Sequence, residues 1–267
     1  MDLQAQMAKY APITLGEMGA VKLLNRTDTK FVAPMAALER LLQMAVGEYR
    51  AQETGGLRVA PYYTLYFDTP AMDMYHMHHQ GHAGRQKTRV RTYVDSGESF
   101  LEVKTKNNHG RTKKKRMQTA GMVDGSQGHS LTFADRESRE AYGDFMGRHL
   151  RYDYKTLERQ IENRFKRVTL VNRDMTERLT IDTGLEFHNL ETGLRASLDG
   201  LAIVELKRDG LAHSPILSML NELRVKPMGF SKYCMGVVLT NPGVKRNRFK
   251  PRLAVVRKML GQEAWQQ

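Results

Sequence analysis

The chain holds 267 residues and carries a formal net charge of +13, an excess that demands a polyanionic partner such as nucleic acid, an anionic lipid surface or a phosphorylated small molecule. One domain of this length has ample apolar residues for a core, and the single cysteine, Cys234, excludes an intramolecular disulfide and fits a reducing cytoplasm. No apolar run approaches the ~20 residues of a spanning helix and Met1 to Tyr10 reads as no signal peptide, so the expected location is cytoplasmic, with peripheral membrane attachment through a partner left open.

In chain order, Thr14-x-x-Glu17 has the spacing of a capping box and predicts a short helix before Leu23. Leu24 to Val32 reads as a strand. A helix follows from Pro34 to about Glu48, with Leu38, Leu41, Leu42 and Ala45 at helical spacing. Ala51 to Arg58, with Gly55-Gly56, reads as a loop. Tyr62 to Phe67 is a strand ended by Asp68-Thr69-Pro70, and Met72 to Gln80 is short and helical or irregular. Arg85 to Val94 and Phe100 to Lys106 form a predicted hairpin around Asp95-Ser96-Gly97, and Thr112 to Thr119 pairs next. Phe133 to Leu150 is helical, and Asp124 to Ser130 is the loosest stretch. Asn163 to Asn172 and Arg178 to Asp182 form a second hairpin, extended by Glu186 to Leu190. Leu201 to Lys207 is a strand. Helices follow from Ser214-Pro215 to about Val225 and over Ser231 to Leu239. A basic C-terminal tail begins near residue 244, its run Lys245 to Lys258 either solvated or in touch with a phosphate or membrane.

Side chains alternate faces along a strand, and here the alternation sorts charge. Lys87, Arg89, Arg91 and Tyr93 share one face; Thr88, Val90, Thr92 and Val94 take the other. Glu102, Lys104 and Lys106 oppose Leu101, Val103 and Thr105. Arg178 and Asp182 oppose Leu179 and Ile181, Glu205 and Lys207 oppose Val204 and Leu206, and Arg26, Asp28 and Lys30 share a face near the start. A solvated face is usually mixed with Ser, Thr, Asn and Gln. These faces are almost wholly charged, with cations in excess, and gathered on one concave surface they require a counter-charge. A polyphosphate and a divalent metal supply one. Glu102-x-Lys104 and Glu205-x-Lys207 pair a metal-binding carboxylate type with a phosphate-binding ammonium on the same face.

The ordered segments RTDTKF (Arg26 to Phe31), TLYFDTP (Thr64 to Pro70), GRQKTRVRTY (Gly84 to Tyr93), FLEVKTK (Phe100 to Lys106), RTKKKR (Arg111 to Arg116), ERLTID (Glu177 to Asp182), IVELK (Ile203 to Lys207) and GFSKY (Gly229 to Tyr233) resemble the catalytic domain of the vacuolar transporter chaperone family, within the triphosphate tunnel metalloenzyme superfamily that includes the CYTH proteins. The resemblance implies an α+β fold over residues 1–267: an eight-stranded antiparallel β-barrel, a triphosphate tunnel, with flanking helices. It implies a polyphosphate polymerase that moves the terminal phosphate of ATP onto inorganic polyphosphate with Mn2+ or Mg2+. Carried over by position, Lys30, Arg89, Arg91, Lys104, Arg167, Arg178 and Lys232 take the catalytic, phosphate-gripping roles. Arg26, Glu102, Lys113, Lys207 and Lys226 fall in substrate-binding positions. Glu205 resembles the principal metal ligand, with Asp182 beside it. Hydrolases of the superfamily open with E-x-E-x-K, whereas this chain has Arg26-x-Asp28-x-Lys30, and the lost carboxylate favours the polymerase branch. A metal-dependent triphosphatase and a non-catalytic polyphosphate-binding module remain the alternatives.

Specific nucleic-acid binding is disfavoured, because carboxylates alternate with the cations and stacking platforms are sparse. His76, His78 and His79 read as surface loop residues before zinc ligands, and no phosphate loop of the G-x-x-x-x-G-K-[ST] type occurs.

Overall fold

A computed structural model describes residues 1–19, 21, 26–108, 111–119, 136–210 and 213–261. It opens with α1 (Leu3–Met7), β1 (Ala11–Ile13) and α2 (Leu15–Met18). The capping box is formed: Thr14 Oγ1 accepts from Glu17 N–H at 3.2 Å, and the Glu17 carboxylate accepts from Thr14 N–H at 2.8 Å. Next come β2 (Arg26–Pro34), α3 (Met35–Met44), β3 (Tyr49–Gln52), β4 (Ala60–Asp68) and α4 (Asp73–Gln80). Three strands follow, β5 (Gln86–Tyr93), β6 (Ser99–Lys106) and β7 (Thr112–Thr119), and then α5 (Arg136–His149). The second half holds β8 (Glu158–Asn172), β9 (Glu177–Asn189), β10 (Arg195–Ser197) and β11 (Leu201–Asp209), then α6 (Pro215–Glu222), α7 (Lys232–Thr240) and α8 (Lys250–Leu260).

Eight strands lie in the order β2-β11-β9-β8-β4-β5-β6-β7, antiparallel at every step, and curl into a half-barrel flanked by helices. The alternation read in the sequence decides what each face meets. Outside, Phe31, Ala33, Leu179, Ile181, Val204 and Leu206 pack with Leu38 and Leu41 of α3 and Ile216 and Leu220 of α6. Leu65, Phe67, Val90, Leu101 and Val103 pack beneath Met74 of α4 and Tyr142 and Met146 of α5.

The inner face is divided. Val32 and Ile203 share their faces with Lys30 and Glu205, but with Tyr66, Ile161 and Phe187 they pack on Tyr233, Val237 and Val238 of α7. The fit is tight at Gly236, where an added Cβ would lie 2.8 Å from both Ile161 Cγ2 and Phe187 Cδ1. This apolar wedge fixes the depth of α7 and so the reach of the lysine at its N-terminus.

The structure revises three readings. Within Ala51 to Arg58 the expected loop is partly strand, because β3 pairs with β8 and β1 before Gly55-Gly56 makes a turn. Residues 250–260 form a helix whose Leu253 and Val256 are buried with Phe249, so this part of the basic tail is anchored on the core. His76, His78 and His79 lie on α4 and not in a surface loop, and His79 is 4% exposed. Burial, reinforced by Lys87 and Arg85, pushes the His78 pKa down to about 2. Asp124 to Ser130 and the first residues of the Leu24 and Phe133 elements lie outside the described residues.

Candidate functional site

β5 and β6 place their charged residues on the inner face, with Arg89 opposite Glu102 and Lys87 opposite Lys104. Glu102 is 1% exposed and is held by Arg89 at 2.6 Å and by Lys114 of β7 at 3.2 Å. Burial pushes its pKa up, but Arg89, Arg91, Lys104 and Lys114 together outweigh burial and hold the carboxyl below its usual range. Arg89 also reaches the Tyr66 hydroxyl at 3.3 Å. A buried carboxylate here locks a guanidinium in one orientation, leaving its neighbours on the same face free for a ligand.

A second ionic group joins β8, β9 and α7. Arg167 donates to both oxygens of Asp182, at 2.6 and 2.7 Å, and Lys232 reaches the same carboxylate. Burial disfavours the Asp182 charge, yet Arg167 and Lys232 prevail and lower its pKa below the usual range. Lys232 itself is pushed down to about 8, first by burial. Its direction is set by the cap of α7: Ser231 Oγ accepts from Cys234 N–H at 3.3 Å, and Lys87 Nζ donates to the same hydroxyl at 2.7 Å. Burial also pushes Lys87 down to about 8.

The third group lies on β2, β9 and β11. Glu205 stands opposite Lys30 and Thr180, with Lys207 at 3.0 Å and Lys30 at 4.0 Å. Lys30 donates to the Phe230 carbonyl at 3.1 Å. Arg26 is spent on Asp28, 2.6 Å away in the same strand. Arg178 lies opposite Lys207, and its Nε is buried without a hydrogen-bond partner.

Thus Lys30, Arg89, Arg91, Lys104, Arg167, Arg178, Lys207 and Lys232 share the inner face with Glu102, Asp182 and Glu205. Two expected residues sit elsewhere. Lys113 pairs opposite Thr105 on the outer face, and its neighbour Lys114 takes the inner position. Lys226 is exposed and donates to Asn221 Oδ1 at 3.3 Å, beside an apolar groove lined by Pro227, Pro251 and Val255. Lys87, Lys114 and Ser231 were not singled out as site residues from the sequence. Lys87 was findable, since it shares the alternating face of Arg89 and Arg91.

Cations exceed carboxylates, and some lack a direct partner. Lys104 makes no hydrogen bond or ion pair among the described residues, and Arg91 Nε is buried and unpartnered. Burial, then Arg89 and Arg91, pushes the Lys104 pKa well below its ordinary value, and burial followed by Arg89 and Arg167 lowers Arg91. Among the described residues no three His, Cys, Asp or Glu side chains converge as a metal cage. Both Asp182 oxygens are committed to cations, which makes it a positioning carboxylate. Glu205 fits a hard divalent ion that arrives on phosphate oxygens, since such ions need only one or two protein carboxylates.

Residues 25–241 match the family model of the VTC domain, and no curated protein matches the chain. Among solved structures, the chain is similar to HpAC1 from Hippeastrum, described as a putative adenylyl cyclase with a dominant triphosphatase activity. That likeness has 15% identity and a TM-score of 0.48 over 79% of this chain and 94% of that one. PH1012 from Pyrococcus horikoshii OT3 is similar at 11% identity and a TM-score of 0.37, over 75% and 91% of the two chains. A protein from Pyrococcus furiosus is similar at 13% identity and 0.38, over 77% and 97%. The family match runs through every strand of the charged inner face and through α7, and the chain belongs to the VTC domain family.

Proposed function

We propose that the protein is a polyphosphate polymerase that transfers the terminal phosphate of ATP to a growing inorganic polyphosphate chain. The observation that carries this reading is the inner face itself, where Arg91 and Arg178 each keep a buried Nε without a hydrogen-bond partner, and Lys104 has no ion pair among the described residues, beside three carboxylate-locked cationic groups. Such a face is complementary to a chain of phosphates.

Catalysis then rests on placement and charge, which dominate phosphoryl transfer. Arg89, Arg91 and Lys104 orient the donor phosphates, while Glu102 holds Arg89 in register. Arg167 and Lys232, fixed by Asp182, face the phosphate that moves. An oxygen on the terminal phosphate of the acceptor chain bonds to the γ-phosphorus, the bond to the β–γ bridging oxygen breaks, and ADP leaves with that electron pair. A divalent ion, Mn2+ or Mg2+, held by Glu205 and phosphate oxygens would offset the charge on the transferred group. Arg26 supports transfer over hydrolysis, since it fills a position where the hydrolases carry a carboxylate.

One observation favours a triphosphatase instead: Asp28 retains a carboxylate on the same face as Lys30 and Glu205. Incubation with ATP and Mn2+, with products separated on a gel, decides. Long polymer supports the polymerase, orthophosphate alone the triphosphatase, and binding without product a polyphosphate-binding module.

A further inference from the structure

A row of aromatic rings crosses the inner face, its middle beneath two of the phosphate-facing cations: Arg91 and Arg167 lie 5.5 and 5.0 Å from the Tyr62 centroid. Phe100 of β6 meets Tyr93 of β5 edge-on, with centroids 5.8 Å apart. Tyr93 lies 5.0 Å from Tyr62 of β4, and Tyr62 stacks on Phe165 of β8 at 5.2 Å with planes 18° apart. The row is transverse, because Tyr93 and Phe165 both stand directly opposite Tyr62 in the sheet. Its two ends differ. Phe165 is 4% exposed and covered by Lys232, whose Nζ lies 4.5 Å from the ring centroid. Phe100 and Tyr93 are only partly buried, and the exposed Arg116 lays its guanidinium 4.8 Å from the Phe100 centroid.

Aromatic faces on a cation-lined surface stack planar π-systems, and Arg can cover the far side of such a guest. The spacing along β5 matters too. Lys87, Arg89, Arg91 and Tyr93 follow one another on one face, so Tyr93 lies ~7 Å beyond Arg91 at ordinary strand rise. That interval is about one ribose. A triphosphate gripped by Arg89, Arg91 and Lys104, with its ester end toward β6 and its far end toward Lys232 over Phe165, presents whatever it is esterified to at Tyr93 and Phe100.

We propose that Phe100 and Tyr93 form a stacking platform for the base of a nucleoside triphosphate donor, with the Arg116 guanidinium as its cover. The tunnel then distinguishes a nucleoside triphosphate from inorganic triphosphate at a place separate from the phosphate grip. This rests on the reading of the inner face as a triphosphate site.

The test is calorimetric titration of ATP and of inorganic triphosphate into the parent protein, Phe100→Ala, Phe100→Leu and Tyr93→Phe, with chelator present so that nothing turns over. Phe100→Leu keeps the apolar bulk and loses the π-face, so it reports stacking even if the alanine variant fails to fold. The platform requires ATP affinity to fall about tenfold in Phe100→Leu, the scale of one lost base stack, with triphosphate affinity nearly unchanged and Tyr93→Phe close to the parent. Equal losses for both ligands, or no loss for either, overturn the platform and leave the triphosphate site standing. A parent protein that binds neither ligand overturns the triphosphate site, and the platform with it.

Discussion

Arg167 and Asp182 face each other across the β8–β9 ladder, and Arg167 donates two parallel hydrogen bonds, 2.6 and 2.7 Å long, to a carboxylate that Lys232 also contacts. One acid thus fixes two cations from different elements. Asp182→Asn leaves two buried positive charges uncompensated, and the expected loss is about 3–5 kcal/mol of stability. Urea unfolding measures it, and added triphosphate should restore part of the loss in the variant. The pH sign follows from the lowered Asp182 pKa. Its stabilising contribution is full above the unfolded value near ~4 and is lost as pH falls below that.

Burial pushes both Lys87 and Lys232 down to about 8, and it depresses Lys104 as well. A bound polyanion favours their charged forms, so binding near pH 8 takes up protons. Affinity for triphosphate should fall as pH rises above about 8. Titrations in two buffers of different ionisation enthalpy count the protons. In the absence of ligand the sign reverses for stability: these lysines lose protons in the folded state before the unfolded one, so stability rises between about 8 and the unfolded value of ~10.4.

Glu205→Gln keeps the shape of the side chain and removes the charge offered to a divalent ion. Turnover with Mn2+ is expected to vanish while the fold persists, with some loss of melting temperature because Lys207 and Lys30 lose their carboxylate. Chelator-resistant binding of triphosphate should persist or tighten, because Lys30 and Lys207 lose their competitor. Full activity in this variant sinks the metal role of Glu205.

Gly236→Ala tests the wedge beneath α7. The added methyl meets Ile161 and Phe187 at 2.8 Å, and forcing it in should destabilise by about 1–3 kcal/mol. Thermal unfolding reads the loss, and a shift of α7 carries Lys232 away from Asp182. Triphosphate affinity should therefore drop with stability in this variant, although Gly236 touches no lumen charge.

Strand alternation made most of the lumen legible, since parity alone puts Arg89, Arg91, Lys104, Glu205 and Lys207 on common faces. Parity fails where a register must be known. Lys113, Lys114 and Lys115 are alike in sequence, and only the pairing of β7 with β6 puts Lys114 on the inner face, opposite Lys104, from where it reaches Glu102 diagonally. Lys226 follows α6 in a turn, where no period assigns a side. The partnership of Asp182 with Arg167 and Lys232 spans a hairpin and a helix, and nothing local encodes it. β3 was hidden by the adjacent Gly55-Gly56, and α8 by the density of Arg and Lys around Leu253 and Val256.

β2 and β7 end the strand path, and β7 pairs only with β6 among the described residues. A border strand is where a second chain could add a strand by backbone hydrogen bonds. Lys113, Lys114, Lys115 and Arg116 are all exposed along it. A like-charged copy approaching that border meets repulsion before it meets hydrogen bonds. The basic composition read as a preference for anions thus also disfavours edge-to-edge pairing between copies of this chain.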